Sequence, residues 1–407
     1  MADLLLTLVF VGLCVGASAC LVYWGATLGR VVRTCASTPT ADEGLALAGE
    51  HPPTGSVCVL IPAHNEADEI AALVASLRAQ DHASVRFVLC CDRCTDGTAD
   101  RARRAAGDDP RFEVLEIHDC PPDWAGKVHA LWTGVARSSA AQEAELLLFA
   151  DADTRFHPAC VRATAALLEH LQLDAMSMVS TMTTAAWFEK LVQPAAGLEL
   201  FYQYPLTRTN RGRTSRPFFN GQFMLFKHEA YEAIGGHESV REELLEDLAI
   251  ARHLARAKRR VGVVMGGRML TCRMYDTWGG FREGWKRIYT EAAKRRVRRL
   301  RRSGWRIRLA SVALPVLAAG SVVGGLSPLG DAAGGRAALL ALGLGGLAVW
   351  LAALVMIYRI GRHPVWMAPT HLVGAWLVSR LLTEAGRDLR AGTPVRWGGR
   401  TYVRPQR

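Results

Sequence analysis

The sequence predicts an α/β domain with a mostly parallel, doubly wound sheet that is joined to membrane-spanning helices. Two observations support this fold class. Short apolar runs alternate with amphipathic stretches over residues 56–150, as in repeated strand–helix units. Long apolar stretches at 4–28, 309–326 and 337–358 carry no charged residue.

Residues 4–28 form the first predicted span. At 1.5 Å per residue they exceed a hydrocarbon core of ~30 Å. A cleaved signal peptide is the alternative, but no Lys or Arg precedes the stretch, and it is longer than the apolar core of a signal peptide. We therefore expect an uncleaved anchor at residues 1–29 and two further spans within 309–358.

Basic residues beside the spans predict their orientation, because Lys and Arg favour the cytosolic side. The flanking arginines are Arg30, Arg33, Arg306, Arg308, Arg359 and Arg362. All can face the cytosol together, which predicts a multi-pass protein of the plasma membrane with its α/β domain in the cytosol. A fourth apolar stretch, 365–382, would export a basic tail if it crossed. Residues 359–407 are therefore expected to form a re-entrant or interfacial helix and a basic cytosolic tail.

The net charge of +11 is concentrated in one short segment. Residues 282–308 carry 12 basic and 2 acidic side chains, whereas the 281 residues before them are mildly acidic. Each basic residue near anionic head groups contributes ~1 kcal/mol. We therefore predict a basic interfacial helix at 282–308. A nucleic-acid partner is not expected, because acids at the predicted strand ends would repel phosphates unless a cation intervened.

Residues 30–54 contain Pro39, Pro52 and Pro53 and are predicted to be a linker. The α/β domain is predicted at 55–281. Its predicted strands are 56–61, 86–91, 112–117 and 145–150. Its predicted helices are 66–79, capped by Asn65, then 96–106 and 127–137.

Acidic residues follow three of these four strands. Glu66 comes shortly after the first, Asp92 after the second, and Asp151 and Asp153 after the fourth. The carboxyl ends of parallel strands meet at one sheet edge, where ligands bind. Two carboxylates after a buried strand can hold a hard cation that in turn holds a diphosphate. The sequence therefore predicts a site for Mg²⁺ or Mn²⁺ at Asp151 and Asp153.

The ten cysteines do not predict a zinc site. Only Cys90, Cys91 and Cys94 are close together, and no second pair of Cys or His lies at ligand spacing. Free thiols are expected in a cytosolic domain.

The motifs over residues 55–290 resemble family-2 inverting glycosyltransferases of the GT-A fold. They are VLIPAHNE at 59–66, DRCTDGT at 92–98, Gly126-Lys127, Asp151-Ala-Asp153, Asn220-Gly221 and Glu246-Asp247. More narrowly, PDWAGK at 122–127, FREGW at 281–285 and WGGRTY at 397–402 look like the membrane members that glycosylate lipids, such as hopene-associated and carotenoid glycosyltransferases.

The resemblance implies a set of residues that bind a nucleotide-sugar donor. The set is Pro62, Glu66, Asp92, Asp96, Lys127, Asp151 and Arg287. Pro62 and Glu66 are expected against the base and ribose, and Asp92 against uracil. Lys127 is expected to neutralise the diphosphate, and Asp153 to bind the metal directly.

Two of these roles have an alternative. Asp96 is also placed to cap the helix that starts there, and Lys127 can be a surface lysine at a helix start. The chain departs from the family pattern at Cys91 and Arg93, which often are Asp and Gly, so the preference for uracil is less firmly predicted.

The resemblance also implies that Asp247 is the base that deprotonates the acceptor. Asp247 opens a predicted helix, 248–257, whose dipole is expected to keep the carboxylate ionised. The alternative is a first-turn acid that only stabilises this helix. The expected acceptor-site residues are Trp124, Asn220, His237 and Trp285.

The sequence thus predicts an inverting hexosyltransferase that transfers one sugar, from a UDP-hexose, to a lipid or polyprenoid acceptor. Processive relatives carry a Gln/Arg-x-x-Arg-Trp motif, and Gly284 stands before Trp285 here. A processive polysaccharide synthase with the same donor site is the alternative, although such enzymes normally have more spans. For Trp285 itself, an interfacial tryptophan is the other interpretation.

Overall fold

The computed structural model describes residues 2–211, 217–328, 331 and 335–406. Their strands form a seven-stranded sheet in the order β3-β2-β1-β4-β8-β6-β9, a three-stranded sheet β5-β10-β7 and a hairpin β11-β12. The strands are β1 Val57–Ala63, β2 Val85–Asp92, β3 Phe112–Ile117, β4 Leu146–Ala150, β5 Thr154–Phe156, β6 Ala175–Val179, β7 Thr181–Met182, β8 Phe223–Lys227, β9 Val261–Met265, β10 Leu270–Cys272, β11 Val395–Trp397 and β12 Arg400–Tyr402.

The large sheet confirms the predicted fold class. β1 pairs in parallel with β2 and β4, β2 with β3, and β6 with β9, while β8 runs antiparallel to β4 and β6. The sheet is covered on both faces. Val59 and Ile61 of β1 belong to one apolar cluster and Cys58 and Leu60 to another, as the alternation of strand side chains requires.

The helices cover both faces of the sheet and extend beyond it. The α-helices are Ala2–Ser37, Ala41–Glu50, Ile70–Arg78, Thr98–Ala106, Gly126–Arg137, Ser139–Glu143, Cys160–His170, Trp187–Leu191, Gln193–Gln203, Leu206–Thr209, His228–Glu232, Glu246–Arg256, Trp278–Ala292, Val297–Ile307, Leu314–Gly325, Arg336–Ile360 and His371–Ala391. Short 3₁₀ helices cover His237–Val240 and Val365–Thr370, and a π-helical segment covers Arg308–Ala313.

Among the described residues, three helices are long and apolar enough to cross a membrane, namely Leu4–Ser37, Val297–Gly325 and Arg336–Ile360. They include the predicted spans and extend past them. The second is longer than predicted because the basic helix Val297–Ile307 continues through the π-helical segment into the apolar part.

The stretch 30–54, predicted to be a linker, is mostly helical. The N-terminal helix continues to Ser37, and the helix Ala41–Glu50 packs against Cys160–His170. A Cβ on Gly44 would lie 2.1 Å from the carbonyl oxygen of Ala163, so this close contact requires glycine. The prolines suggested an irregular segment, but residues 41–50 are helical because their face of small residues is buried.

The predicted helix 66–79 begins later, at Ile70, and Asn65 does not cap it. Asn65 has a φ of 57° and its side-chain oxygen accepts a hydrogen bond from the backbone N–H of Thr95, at 2.8 Å. Residues 64–69 are thereby held as a loop beside the end of β2, which leaves Glu66 free to reach the sheet edge.

The basic segment 282–308 is two helices rather than one, and acids of the protein neutralise part of its charge. Arg282 pairs with Glu384 at 2.8 Å, and Lys286 with Asp388 at 2.7 Å. Both acids lie on the C-terminal helix His371–Ala391, which is outside the candidate spans and packs on both basic helices. The sequence did not predict this pairing because the partners are about 100 residues apart.

Candidate active site

The carboxyl ends of β1, β2 and β4 border one cavity of about 1080 Å³. Because β8 runs antiparallel, its amino end lies at the same edge and brings the residues before Phe223 to the cavity. The lining includes most of the residues predicted for the site, which are Pro62, Glu66, Asp92, Lys127, Asp151, Asp153, Asn220, Asp247, Trp285 and Arg287.

Lys127 lies between two carboxylates in this cavity. Its Nζ is 2.6 Å from Asp151 Oδ1 and 2.6 Å from Glu246 Oε1. Burial alone would lower the pKa of Lys127, but the two carboxylates raise it above its ordinary value, so the side chain is a cation. Lys127 begins the helix Gly126–Arg137 and is only 14% exposed, which excludes the surface-lysine alternative.

Asp151 and Asp153 follow β4 and face the same space as Glu66. Burial, and next the negative charge of Asp151, raise the pKa of Asp153 to about 8. Burial and Asp151 also raise the pKa of Glu66 to about 7. The thiol of Cys272 donates to Asp153 Oδ1 at 3.3 Å. These carboxylates therefore form a group whose like charges destabilise one another, an arrangement that a cation would relieve.

Glu246 and Asp247 are the first residues of the helix Glu246–Arg256. The backbone N–H of Gly221 donates to Asp247 Oδ2 at 2.9 Å, and that of Leu248 donates to Oδ1 at 2.7 Å. The helix dipole was expected to keep Asp247 ionised, but its pKa is raised to about 7. Burial and the adjacent negative charge of Glu246 outweigh the dipole.

Arg287 and Trp285 reach the cavity from the helix Trp278–Ala292. Arg287 donates to the carbonyl oxygen of Leu244 at 2.9 Å, and its guanidinium lies 4.5 Å from the ring centre of Trp397. Trp285 is 5% exposed. Its neighbour Gly284 leaves a gap that Tyr275 fills, since a Cβ there would lie 2.0 Å from the Tyr275 hydroxyl oxygen. A larger residue before Trp285 would displace Tyr275.

Asp92 and Asp96 differ in what they contact. Asp92 lines the cavity, but its carboxylate is bound on both oxygens by its neighbour Arg93, at 2.8 and 2.6 Å. Asp96 lies outside the cavity lining. It accepts hydrogen bonds from the backbone of Thr98 at 3.0 Å and of Ala67 at 3.0 Å. Asp96 thus contacts the first residue of the helix Thr98–Ala106, whose N-cap position is occupied by Gly97.

Two predicted acceptor-site residues, Trp124 and His237, are not brought to the cavity. The ring of Trp124 packs on Trp132 and His129 in the core. His237 is buried, its Nδ1 is 2.9 Å from the hydroxyl of Tyr231, and burial lowers its pKa to about 3, so it is neutral. Asn220 does line the cavity and donates to the carbonyl oxygen of Met178 at 3.1 Å.

A family model described as "Glycosyltransferase like family 2" matches residues 52–307. The chain belongs to this family. The matched region contains all the strand-end acids, the helix of Asp247 and the helix of Arg287.

This family-2 glycosyltransferase is similar to the 4,4'-diaponeurosporenoate glycosyltransferases of Staphylococcus aureus strains MRSA252 and USA300. Each is 27% identical over 250 residues, which cover 58% of this chain. The match spans 62% of the length of these relatives.

Two solved structures are also similar. The mannosyltransferase PcManGT from Pyrobaculum calidifontis, in complex with GDP-Man and Mn²⁺, has 18% identity and a TM-score of 0.49, with 94% of this chain and 98% of that chain covered. A TarS fragment from S. aureus, in complex with UDP-GlcNAc, has 13% identity and a TM-score of 0.40, with 86% and 96% covered.

The C-terminal hairpin, residues 395–402, borders the cavity of this family-2 glycosyltransferase. From the sequence it was expected in the basic tail, and its WGGRTY motif carried the family resemblance but no role at the site. Trp397, Gly398 and Gly399 line the cavity. Arg400 fixes the hairpin by donating to the carbonyl oxygens of Cys120, Pro121 and Trp124, at 2.6, 3.0 and 2.7 Å.

A sequence signal for this hairpin exists. Gly398 and Gly399 have φ values of 54° and 70°, as a two-residue hairpin turn requires, and Gly-Gly between Val-Arg-Trp and Arg-Thr-Tyr is typical of such a turn. The sequence pattern predicts the hairpin turn but not the location of the hairpin, because that depends on contacts such as the one between Arg400 and Cys120, which are 280 positions apart.

Proposed function

We propose that this chain is a membrane-bound inverting hexosyltransferase. It transfers one sugar from a nucleotide sugar, a UDP-hexose, to the hydroxyl or carboxyl group of a lipid or polyprenoid. The observation that supports this most is that one cavity contains the carboxylates of Asp151 and Asp153, the cation of Lys127 and the carboxylate of Asp247. Together they supply groups for a leaving diphosphate and for an attacking oxygen.

The donor is proposed to lie along the ends of β1, β2 and β4. Pro62 and Glu66 would contact the base and ribose, and Asp92 the uracil. Lys127 and Arg287 carry the positive charge that faces the diphosphate. Lys127 is already paired with Asp151 and Glu246, so it is held in place before the donor arrives.

The residues fit a divalent cation at Asp151 and Asp153. Among the residues that the structure describes, no three His, Cys, Asp or Glu side chains gather as a metal site. Two carboxylates suffice for Mg²⁺, which takes its other ligands from substrate phosphates and water. The raised pKa of Asp153 supports this, because a cation would stabilise the ionised pair. When bound, the metal would offset charge that develops on the leaving diphosphate.

Asp247 is proposed as the base. Two backbone N–H groups hold its carboxylate, so the direction of its lone pairs is fixed. A pKa of about 7 suits a base at neutral pH, since the group is substantially ionised and still accepts a proton. In inverting transfer the acceptor oxygen loses its proton to Asp247 as it attacks the sugar carbon opposite the departing diphosphate.

The acceptor is proposed to come from the bilayer. The relatives are named for 4,4'-diaponeurosporenoate, which supports a polyprenoid-like acceptor. The cavity lining also includes residues of two candidate spans. The flanking arginines support a multi-pass topology with the catalytic domain at 55–281 in the cytosol. Gly284, in place of the arginine of processive relatives, supports transfer of a single sugar.

The test is a transfer assay with purified protein in bilayer nanodiscs. UDP-glucose, UDP-galactose, UDP-GlcNAc and GDP-mannose are each offered with a total membrane lipid extract. We expect a new lipid, heavier by one hexose, with one UDP-hexose. The absence of any new glycolipid with every donor would refute the proposal.

The variant Asp247→Asn separates chemistry from binding. It should lose transfer while it still binds the donor. Asp81→Asn is the matched control, because Asp81 pairs with Arg162 on the surface and lies outside the cavity lining. Wild-type turnover by Asp247→Asn would contradict the assignment of the base.

A further inference from the structure

The cavity does not end at the catalytic carboxylates. It continues along three helices, and its lining there includes Val31 of the N-terminal helix, Gly197 and Phe201 of Gln193–Gln203, and Ile357 and Ile360 of Arg336–Ile360. We call this part the membrane-side arm. Two of its three walls come from helices long and apolar enough to span a bilayer.

The arm has room for a ligand at Gly197. A Cβ on Gly197 would meet no other atom within 4 Å, although this residue lies mid-helix in the wall of the cavity. The whole cavity, at about 1080 Å³, slightly exceeds the ~300–1000 Å³ usual for one small ligand. It can therefore hold a nucleotide sugar at the strand ends and part of a second molecule in the arm.

Two buried donors in the lining have no partner. Gln193 and Trp285 are each 5% exposed, and Gln193 Nε2 and Trp285 Nε1 find no hydrogen-bond acceptor among the residues that the structure describes. Buried polar groups in native proteins are nearly always hydrogen-bonded, so such groups indicate a missing partner. Because both atoms are N–H donors, the partner must supply oxygen lone pairs.

Exposed arginines stand at the outer end of the arm. Arg30 of the N-terminal helix and Arg362, two residues after the end of the helix Arg336–Ile360, both line the cavity, and the Arg30 guanidinium lies 4.7 Å from the ring centre of Tyr202. Their charge is typical of the level of lipid head groups, where long basic side chains reach water. The arm is therefore placed to open toward the bilayer at its cytosolic surface.

We infer that the membrane-side arm binds the apolar chain of the acceptor, a long unbranched lipid or polyprenoid, and that Gln193 and Trp285 hydrogen-bond its terminal hydroxyl or carboxyl oxygen. This inference rests on the proposed function, because it takes the second substrate to be a lipid. The apolar residues of the arm favour a hydrocarbon chain over a sugar polymer. The chain enters from the bilayer and its oxygen end is delivered to the cavity that contains Asp247.

Gly197→Leu tests the arm, because its Cβ would have no atom of the described residues within 4 Å and the rest of the side chain would fill part of the arm. Gly49→Leu is the matched control, since Gly49 is also in a helix with nothing within 4 Å but is exposed and outside the cavity lining. Transfer is measured in nanodiscs with a polyprenol and with a short soluble alcohol, and donor hydrolysis is measured without acceptor.

We expect Gly197→Leu to lower kcat/KM for the polyprenol by about tenfold or more, as steric changes in apolar substrate pockets do. Donor hydrolysis and transfer to the short alcohol should stay within about twofold of wild type, and Gly49→Leu should match wild type throughout. Polyprenol transfer by Gly197→Leu at the wild-type rate would overturn the inference. If Gly197→Leu does not fold, Val31→Trp, which narrows the arm from the N-terminal helix, is measured in its place with the same expected results.

Gln193→Leu tests the head-group contact separately. It should raise KM for the acceptor and leave KM for the donor unchanged, whereas a merely structural role would alter both or neither. The outcomes also separate the inference from the proposed function. If wild-type protein glycosylates no lipid, the proposed function fails. If it does, and Gly197→Leu and Gln193→Leu behave like wild type, only the arm is misassigned.

Discussion

Lys127→Met should destabilise the catalytic domain, because it leaves Glu246 as an unpaired buried carboxylate. Methionine keeps the length and most of the volume of lysine, so the change removes a charge and little packing. Glu246 is 2% exposed, and Lys127 at 2.6 Å is the ion-pair partner that the structure shows for it. Asp151 loses the same partner but is 27% exposed and can be hydrated.

The expected magnitude follows from this difference in burial. Breaking a buried ion pair by removing one partner costs about 3–5 kcal/mol, and Glu246 accounts for most of it. For a domain of this size, 1 kcal/mol corresponds to roughly 2–4 °C, so the midpoint of thermal unfolding should fall by about 6–20 °C at pH 7. Lys286→Met is the control. Its partners Asp388 and Glu283 are 39% and 65% exposed, so it should cost under about 1 kcal/mol.

The pH dependence gives a second measure of the same effect. In the native protein burial opposes ionisation of Glu246, but Lys127 holds its pKa below the ordinary value. The pair therefore stabilises the fold at neutral pH, and this stability is lost as pH falls through that lowered pKa. In Lys127→Met the lysine no longer offsets burial, so the pKa of Glu246 rises. Protonation of Glu246 then removes the buried charge and makes the variant more stable. The difference between the two proteins should narrow from pH 7 to pH 5.

The assay is thermal unfolding of detergent-purified protein, followed by tryptophan fluorescence, at both pH values. The double variant Lys127→Met/Glu246→Gln should recover much of the loss, because the buried carboxylate is gone and only the partly exposed Asp151 is left without Lys127. An unchanged midpoint in Lys127→Met at pH 7, or a double variant no more stable than the single one, would refute the reasoning.

Three further predictions concern activity. With a pKa of about 7 at Asp247, kcat/KM of the wild type should fall about tenfold per pH unit below pH 7. Asp247→Asn should lower kcat/KM by roughly 10²–10⁴ and should abolish this decrease at low pH. EDTA should abolish turnover, and excess Mg²⁺ or Mn²⁺ should restore it. Asp153→Asn should raise the metal concentration that gives the half-maximal rate by about tenfold or more. Turnover that is unchanged by EDTA would exclude the metal site. Arg400→Ala removes charged hydrogen bonds to three carbonyl oxygens that hold the hairpin. It should raise KM for the donor by about tenfold and change thermal stability little. An unchanged KM would mean that the hairpin is not part of the donor site.

In the parallel half of the sheet the edge strand β3 is only partly buried, whereas nearly all residues of β1, β2 and β4 are buried, which made these three strands predictable from sequence. Such strands are nearly continuous apolar runs, and the predicted bounds of β1 to β4 lie within two residues of those observed. Helix starts were less predictable. The helix begins at Ile70, four residues later than expected, and residues 66–69 form a turn in which the N–H groups of Glu69 and Ile70 donate to the carbonyl oxygen of Glu66. The N–H groups of Glu66 and Ala67 donate to the side chains of Thr98 and Asp96, which are distant in sequence.

The candidate site could be predicted as a set of residues but not as a set of contacts. Lys127 was expected at the diphosphate and Asp151 at the ribose or sugar and the metal, yet their pairing with each other and with Glu246 depends on the approach of the helix Glu246–Arg256. His237 was expected in the acceptor site, whereas its ring packs on Phe149 at 4.6 Å inside the core. Tertiary packing, which sequence spacing does not contain, decides such cases.

The N-terminal helix has 36 residues, or about 54 Å at 1.5 Å per residue, and so exceeds a ~30 Å hydrocarbon core by about 24 Å. Directly after it, the backbone N–H of Met265 donates to the carbonyl oxygen of Pro39 at 2.9 Å, which joins the helix end to β9. On the proposed topology the cavity is therefore held at a fixed height above the bilayer. Encounters with the acceptor then take place in two dimensions, so the rate should follow the mole fraction of acceptor in the membrane. Diluting the bilayer with inert phospholipid should slow the enzyme even when the amount of acceptor in the tube is unchanged.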